Sequence, residues 1–322
     1  MTIQPSIQPS AQPSIQLREV ELREVGLRDG LQSIARVLPT ALKLEWIADA
    51  YAAGLREIEV GSFVPPRLLP QLADTAEVLA YAKTLPGLVA SVLVPNLRGG
   101  QRALDEGAES MLFPLSASLA HSLANVRKTT DEALAEVRAI CAARDAAGSK
   151  CVIEIGLSTS FGCTLQGAVD PAVVLRLMAA AVDAGVDRIG LADTVGYADP
   201  LMVSRLFEQG KKLVGDKLSC GHFHDTRGLG MANVYAAWQT GIRRFDACLA
   251  GIGGCPHAPG ASGNVAMEDV AYLFASMAQD TGIHFDQLMT LRAKVAGWLK
   301  GETLHGTLWR AGLPKTMRTV LA

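Results

Sequence analysis

Arg188-Ile-Gly-Leu-Ala-Asp193-Thr-Val-Gly-Tyr-Ala-Asp-Pro200-Leu-Met-Val-Ser-Arg-Leu-Phe-Glu-Gln-Gly-Lys-Lys-Leu-Val-Gly-Asp-Lys-Leu218-Ser-Cys-Gly-His222-Phe-His224-Asp225 holds one complete structural unit. A short apolar run (188–192) leads into a longer helical segment (200–214) and then a second short run (218–223). That is the pattern of two parallel strands joined by a helical crossover. The alternation continues in both directions from about residue 20. Strands are expected at 20–25, 57–62, 89–94, 110–114, 151–157, 188–192, 218–223 and 245–249, with helices at 41–53, 71–83, 131–147, 171–184, 200–214 and 229–240. Gly54 and Gly185 follow two of these helices, where glycine suits a left-handed C-terminal cap. Eight strand–helix units in about 250 residues is the count of a TIM (β/α)8 barrel. The alternative is a doubly wound open sheet, which has fewer strands and wants a Gly-x-Gly-x-x-Gly loop after the first one. Gly26-Leu27-Arg28-Asp29-Gly30 does not supply that loop.

The expected domain is therefore one barrel over 17–322, with a short helical C-terminal extension from about residue 285. Residues 1–16 carry the repeats Ile3-Gln-Pro-Ser6 and Ile7-Gln-Pro-Ser10 and no charge, and are expected to form a disordered tail. An uncharged start excludes a basic-headed signal peptide and an Arg-rich transit peptide, so the cytoplasm is the expected compartment. No apolar stretch approaches the roughly 18 residues of a membrane span. Thirty basic against 32 acidic residues, a formal charge of −2, leaves no footprint for nucleic acid or an anionic membrane. Six cysteines without a Cys-x-x-Cys pair read as reduced, buried thiols. The apolar composition would suit a homodimer.

In a barrel, chemistry gathers where strands end at the C-terminal face. His222 and His224 close the seventh strand; two apart, they point the same way and can present two imidazoles to one ion. They could instead be structural histidines bonded to Asp193 or Asp225. Arg28-Asp29 closes the first strand, where the carboxylate can supply a hard ligand and the guanidinium can stabilise an oxyanion; an ordinary ion pair is the plainer alternative. Glu59 and Asp193 are acids near strand ends that need a cation, a metal or several donors if buried. The loop Gly251-Ile-Gly-Gly-Cys255-Pro-His-Ala-Pro-Gly260-Ala-Ser-Gly-Asn264 is rich in glycine around one thiol. Asn264 reads either as a ligand or as the N-cap of a helix starting at Val265. Two imidazoles, a carboxylate and an amide form a mixed N/O donor set suited to Mg²⁺ or Mn²⁺.

Several stretches in order resemble the hydroxymethylglutaryl-CoA lyases of the DRE-TIM metallolyase group. They are Glu24-Val-Gly-Leu-Arg28-Asp29-Gly30-Leu-Gln32, Ser62-Phe-Val-Pro65, Ser116-Ala-Ser118, Asp193-Thr-Val-Gly196, His222-Phe-His224-Asp225-Thr226, and Gly253-Gly-Cys255-Pro followed by Gly260-Ala-Ser-Gly-Asn264. The Arg-Asp and His-x-His elements are shared with isopropylmalate and homocitrate synthases, whereas the Gly-Gly-Cys-Pro loop is the lyase signature. The resemblance implies a divalent metal held by Asp29, His222, His224 and Asn264. Arg28 would stabilise an enolate, Glu59 and Asp193 would support the site, and Cys255 would lie on a mobile catalytic loop. Arg28, Asp29, Glu59, His222 and Cys255 form the implied catalytic set. The implied reaction is retro-Claisen cleavage of 3-hydroxy-3-methylglutaryl-CoA to acetyl-CoA and acetoacetate, a step of leucine degradation. Citramalyl-CoA and larger branched glutaryl-CoAs are alternative substrates, and a barrel that binds acyl-CoA without turnover is the non-enzymatic alternative.

A forward Claisen synthase would carry a further regulatory domain, and an amidohydrolase-like barrel would place His-x-His on its first strand. The departures from the family are Leu27, Leu119, Thr164-Leu165 and His257. They are expected to line the acyl end of the pocket. For the CoA phosphates the basic candidates are Arg98, Lys315 and Arg318.

Overall fold

The computed structural model describes residues 19–254 and 263–315; the tail expected at 1–16 and the residues Cys255, His257 and Arg318 lie outside them. Eight parallel strands close in chain order: β1 (Glu21–Glu24), β2 (Glu57–Ser62), β3 (Val89–Leu93), β4 (Ser110–Ser116), β5 (Val152–Ser158), β6 (Arg188–Asp193), β7 (Leu218–Phe223) and β8 (Arg244–Ala247). β1 pairs with both β2 and β8, so the eight described strands leave no edge unpaired. Around them run α1 (Thr40–Ala52), α2 (Thr75–Ala82), α3 (Leu97–Asp105), α4 (Leu119–Val126), α5 (Thr130–Ala146), α6 (Pro171–Ala184), α7 (Pro200–Val214), α8 (Gly230–Gln239), α9 (Met267–Ser276), α10 (Phe285–Trp298) and α11 (Leu308–Ala311). The fold is a TIM barrel. None of the described helices is long and apolar enough to cross a membrane.

The expected strands and helices all form, with ends shifted by a few residues. The helix expected at 71–83 divides into a 3₁₀ turn, Pro70–Leu72, and α2. Two helices have no bounds in the sequence reading: α3, capped by Asn96 Oδ1 accepting from Gly99 N, and α4, capped by Ser118 Oγ accepting from His121 N. Both are short, and α3 carries Gly99 and Gly100, which weaken its local helical signal.

β5 shows how the barrel is built. Ile153, Ile155 and Leu157 face outward and are fully buried under the helices, while Glu154, Gly156 and Ser158 face the interior. The lower interior is ionic rather than apolar. Arg23 of β1 donates to both oxygens of Asp246 (2.7 and 2.8 Å) and to Glu154 (3.0 Å); Arg244 pairs with Glu57 and Glu154. Such a network holds only because every charge has a partner, since leaving one charge unpaired in a buried site is strongly destabilising. It closes the barrel floor.

After β8 the chain is clamped twice. Glu24, beneath the helices, accepts from Gly26 N (2.7 Å) and Leu249 N (3.1 Å), and Glu268 of α9 accepts from Ala250 N (3.1 Å). Burial pushes the Glu24 carboxyl up to about 8 despite those backbone donors. A folded-state value above the unfolded one means that the protonated group contributes stability at low pH. That contribution is lost as pH rises from the unfolded carboxylate range through about 8. Glu24→Gln keeps an acceptor oxygen, and should flatten this decline in thermal-unfolding midpoints measured across that window.

α10 packs on α1, with the Trp46 and Trp298 rings 6.4 Å apart. The segment after α10 then crosses the C-terminal face. Arg36 donates to Trp298 O, His305 N donates to Ala250 O (2.8 Å), and Asp269 accepts from Thr307 N and Leu308 N. Glu302, Thr303 and His305 thereby become part of the barrel mouth.

Candidate active site

β1 ends in a single π-helical turn, Gly26–Gly30, in which Val25 O accepts from Gly30 N (3.3 Å). Wide turns of this kind are frequent at functional sites, and this one turns Arg28 and Asp29 into the barrel mouth. Gly26 is required there: a Cβ would lie 2.4 Å from Glu24 Oε1 and 2.8 Å from the Trp46 ring. β7 delivers His222 and His224 to the same point. Asn264 arrives through a short extension of the sheet: Asp225 N donates to Gly263 O, Val265 N to Phe223 O, and Cys248 N to Val265 O. α9 begins only at Met267 with Ala266 at its cap, so Asn264 is not an N-cap.

The four residues converge. Asp29 Oδ2 lies 3.9 Å from His222 Nε2 and 3.8 Å from His224 Nε2, and these two nitrogens are 3.1 Å apart. Asn264 Nδ2 donates to Asp29 Oδ2 (2.7 Å), and Asp29 Oδ1 accepts from Arg28 Nη1 (2.7 Å) and Gln32 Nε2 (2.8 Å). Burial would raise the Asp29 carboxyl, but Arg28 and the two imidazoles hold it well below the usual carboxylate range. It is therefore an anion.

Glu59 of β2 is completely buried, with Oε2 2.8 Å from Arg28 Nε. The register of β2 against β3 shifts between Glu59 and Gly61, an irregularity of the kind that re-aims side chains beside active sites. Burial outweighs Arg28 and raises the Glu59 carboxyl. Glu59 and Asp29 thus hold Arg28 from two sides. Asp193 is placed differently: its oxygens accept from Tyr197 N (2.8 Å) and Ala198 N (3.2 Å), bracing the turn after β6.

Neither Asp193 nor Asp225 bonds the histidines. His222 Nδ1 is instead 3.0 Å from Asp246 Oδ2, and Asp246 is pinned by Arg23. Asp246 escaped the sequence reading. Its one signal was a carboxylate in the apolar run 245–249, beside a strand carrying histidines. Its carboxylate fixes the proton on Nδ1 and leaves the His222 Nε2 lone pair facing Asp29. Asp246→Asn is expected to weaken Mn²⁺ binding by about 10- to 100-fold, the usual effect of an outer partner, as read by titration of the apoprotein.

Could these residues hold a divalent ion? The ligand atoms of Asp29, His222 and His224 all lie within 4.8 Å of one another. At 3.1 Å apart, the two imidazole nitrogens are close enough for both to reach one ion. Asn264 Oδ1 and His224 Nδ1 are buried without a hydrogen-bond partner among the described residues. A buried amide oxygen left open beside two imidazoles and a carboxylate fits a mixed N/O metal site.

These groups open into a cavity of about 1180 Å³ that runs from the barrel mouth to the ionic floor. That exceeds the roughly 300–1,000 Å³ of an ordinary small-ligand pocket and suits a cofactor-sized molecule. Residues 19–295 match the HMGL-like family model. The chain belongs to the HMGL-like family.

Among HMGL-like relatives, the chain is 39% identical over 271 residues to the mitochondrial hydroxymethylglutaryl-CoA lyase of Arabidopsis thaliana, covering 84% of this chain and 57% of that longer protein. It is 37% identical over 311 residues to the (R)-citramalyl-CoA lyase of Chloroflexus aurantiacus, covering 92% and 96%. A solved HMG-CoA lyase from Acinetobacter baumannii, in complex with coenzyme A and 3-methylmalate, superposes with a TM-score of 0.86 at 36% identity, covering 92% and 96%.

The family departures do not shape the cavity as expected. Leu27 is fully buried in the core, Leu119 and Leu165 are half exposed, and none of Leu27, Leu119, Thr164 and Leu165 is among the described lining residues. Leu119 opens α4 on its solvent side, and 164–165 belong to the small loop closed by the Cys163–Gly167 bridge. Arg98 is not a lining residue either. Arg67, Arg127 and Lys128 are.

Proposed function

We propose that this protein is a metal-dependent carbon–carbon lyase that cleaves a 3-hydroxyacyl-CoA to acetyl-CoA and a ketone product. The observation that carries this reading is the convergence of Asp29, His222, His224 and Asn264 beside a buried, doubly held Arg28, at the mouth of a cavity deep enough for an acyl-CoA. Asp29, His222, His224 and Asn264 would hold Mg²⁺ or Mn²⁺, which when bound polarises the substrate's tertiary hydroxyl and carboxylate oxygens.

The protein's own groups account for the rest. The substrate hydroxyl gives its proton to a general base, the C2–C3 bond breaks, the C3 oxygen becomes a ketone, and the bonding electrons pass into the thioester as an enolate. Arg28 faces that developing charge. Asp29 and Glu59 fix the guanidinium in place, so its alignment costs no reorganisation during the reaction. A general acid then protonates the enolate carbon to give acetyl-CoA, and Cys255 is the residue we assign to it. Arg67, Arg127 and Lys128 line the mouth, and we assign them to the anionic end of CoA.

3-Hydroxy-3-methylglutaryl-CoA, giving acetoacetate, is the leading substrate. Citramalyl-CoA, giving pyruvate, is the second, favoured by the Chloroflexus relative. The test is acetyl-CoA release from both substrates side by side with Mg²⁺ or Mn²⁺, against an EDTA control. Metal-dependent release from one establishes the reaction class and ranks the acyl groups; release from neither by metal-loaded protein excludes both acyl groups, and refutes the lyase reading if longer-branched 3-hydroxyglutaryl-CoAs are not cleaved either.

A further inference from the structure

Below the histidines the barrel interior is hollow where such barrels are ordinarily filled by bulky branched side chains. The cause is a pair of glycines on adjacent strands. Gly156 of β5 is in register with Gly190 of β6, and both line the cavity. Gly190 is in register with Cys220, two residues before His222, so the pair lies one inward-facing step beneath that imidazole. Neither glycine needs a left-handed backbone. Gly190 lies close against Cys220, whose Cβ would be 3.3 Å from an added Cβ, so the free space is at Gly156. A Cβ on Gly156 would meet only Leu112 methyl carbons at 3.4 Å and beyond, ordinary contact. Glycine inside a strand weakens it and commonly marks close approach of a ligand.

We propose that this chamber is a subsite for an uncharged, mainly apolar branch longer than methyl on C3 of the substrate. The inference rests on the acyl-CoA lyase reading given above. CoA reaches the site from the open mouth, because the Arg23–Glu154–Asp246 network closes the floor. With C3 held beside His222, its substituents have only the chamber beneath them. Leu112 and Pro114 form its wall and offer no donor. The charges of the floor are matched to one another, Arg23 to Asp246 and Glu154, so a second carboxylate would find no unpaired cation there. An alkyl or alkenyl branch meets both conditions.

The experiment compares 3-hydroxy-3-methylglutaryl-CoA with its 3-butyl homologue, by kcat/KM for acetyl-CoA release, in the parent protein, Gly156→Ala and Gly156→Val. The parent should cleave the butyl substrate at least as well as the methyl one. Gly156→Val should lower kcat/KM for the butyl substrate by roughly 10- to 200-fold and leave the methyl substrate within about threefold, with Gly156→Ala between. If Gly156→Val does not fold, Gly156→Ala and the parent's own preference decide the matter. The subsite is overturned if the parent cleaves only the methyl substrate, or if filling position 156 lowers both equally. If the metal-loaded parent cleaves neither but does cleave citramalyl-CoA, the subsite is overturned and the lyase reading stands; if it cleaves none of the three, the lyase reading itself fails, and the subsite with it.

Discussion

Replacing Arg28 by alanine should leave Mn²⁺ binding within a few-fold of the parent while cutting kcat by about 10²- to 10³-fold, the usual cost of losing one preorganised donor to a developing oxyanion. The separation of the two readouts follows from the contacts. Asp29 keeps its bonds from Gln32 (2.8 Å) and Asn264 (2.7 Å) when the guanidinium is gone, so the ligand stays in place. Glu59 is already raised by burial and relieves the loss by taking up a proton. Arg28→Lys should rescue poorly, because an ammonium point charge cannot face Asp29 and Glu59 through two separate edges as Nη1 and Nε do. The measurement pairs acetyl-CoA release with an apoprotein Mn²⁺ titration. Near-parental turnover in Arg28→Ala would remove the enolate role from this residue.

His222→Ala should behave in the opposite way, losing metal and turnover together. Its Nε2 is one of three ligand atoms within 4.8 Å. Its removal should therefore cost more affinity than the roughly 10- to 100-fold expected for the outer partner Asp246. The double variant His222→Ala/Asp246→Asn should bind metal no more weakly than His222→Ala alone, since the carboxylate acts through the imidazole. The same titration reads all three proteins. Tight Mn²⁺ binding by His222→Ala would show that the ion is held elsewhere and would refute the ligand set.

Much of this is legible in the sequence, for physical reasons that differ from residue to residue. His222 and His224 could be paired from sequence because side-chain direction alternates along a strand, a property of the local backbone alone. Arg28 and Asp29 were visible because polar residues at the end of an apolar strand need a reason to be there. Asn264 was ambiguous: a helix does begin just after it, and only pairing of 263–266 with the ends of β7 and β8 shows that its side chain reaches Asp29. The departures at Leu119, Thr164 and Leu165 were misjudged, because closeness in sequence to a strand end says nothing about which side of a loop faces the cavity.

By itself the sequence determined the barrel, its strand count and the residue types that gather at one end of it, since hydrophobic period, turn glycines and strand parity act over a few residues at a time. Tertiary structure alone decided that Asp246 orients His222, that Glu59 holds Arg28, that the segment after α10 borders the mouth and that Gly156 and Gly190 leave a chamber below the site. Such contacts join residues far apart in the chain, 262 positions in the case of Arg36 and Trp298. They exist only once β1 closes on β8 and sets the register of the whole barrel, which no local pattern encodes.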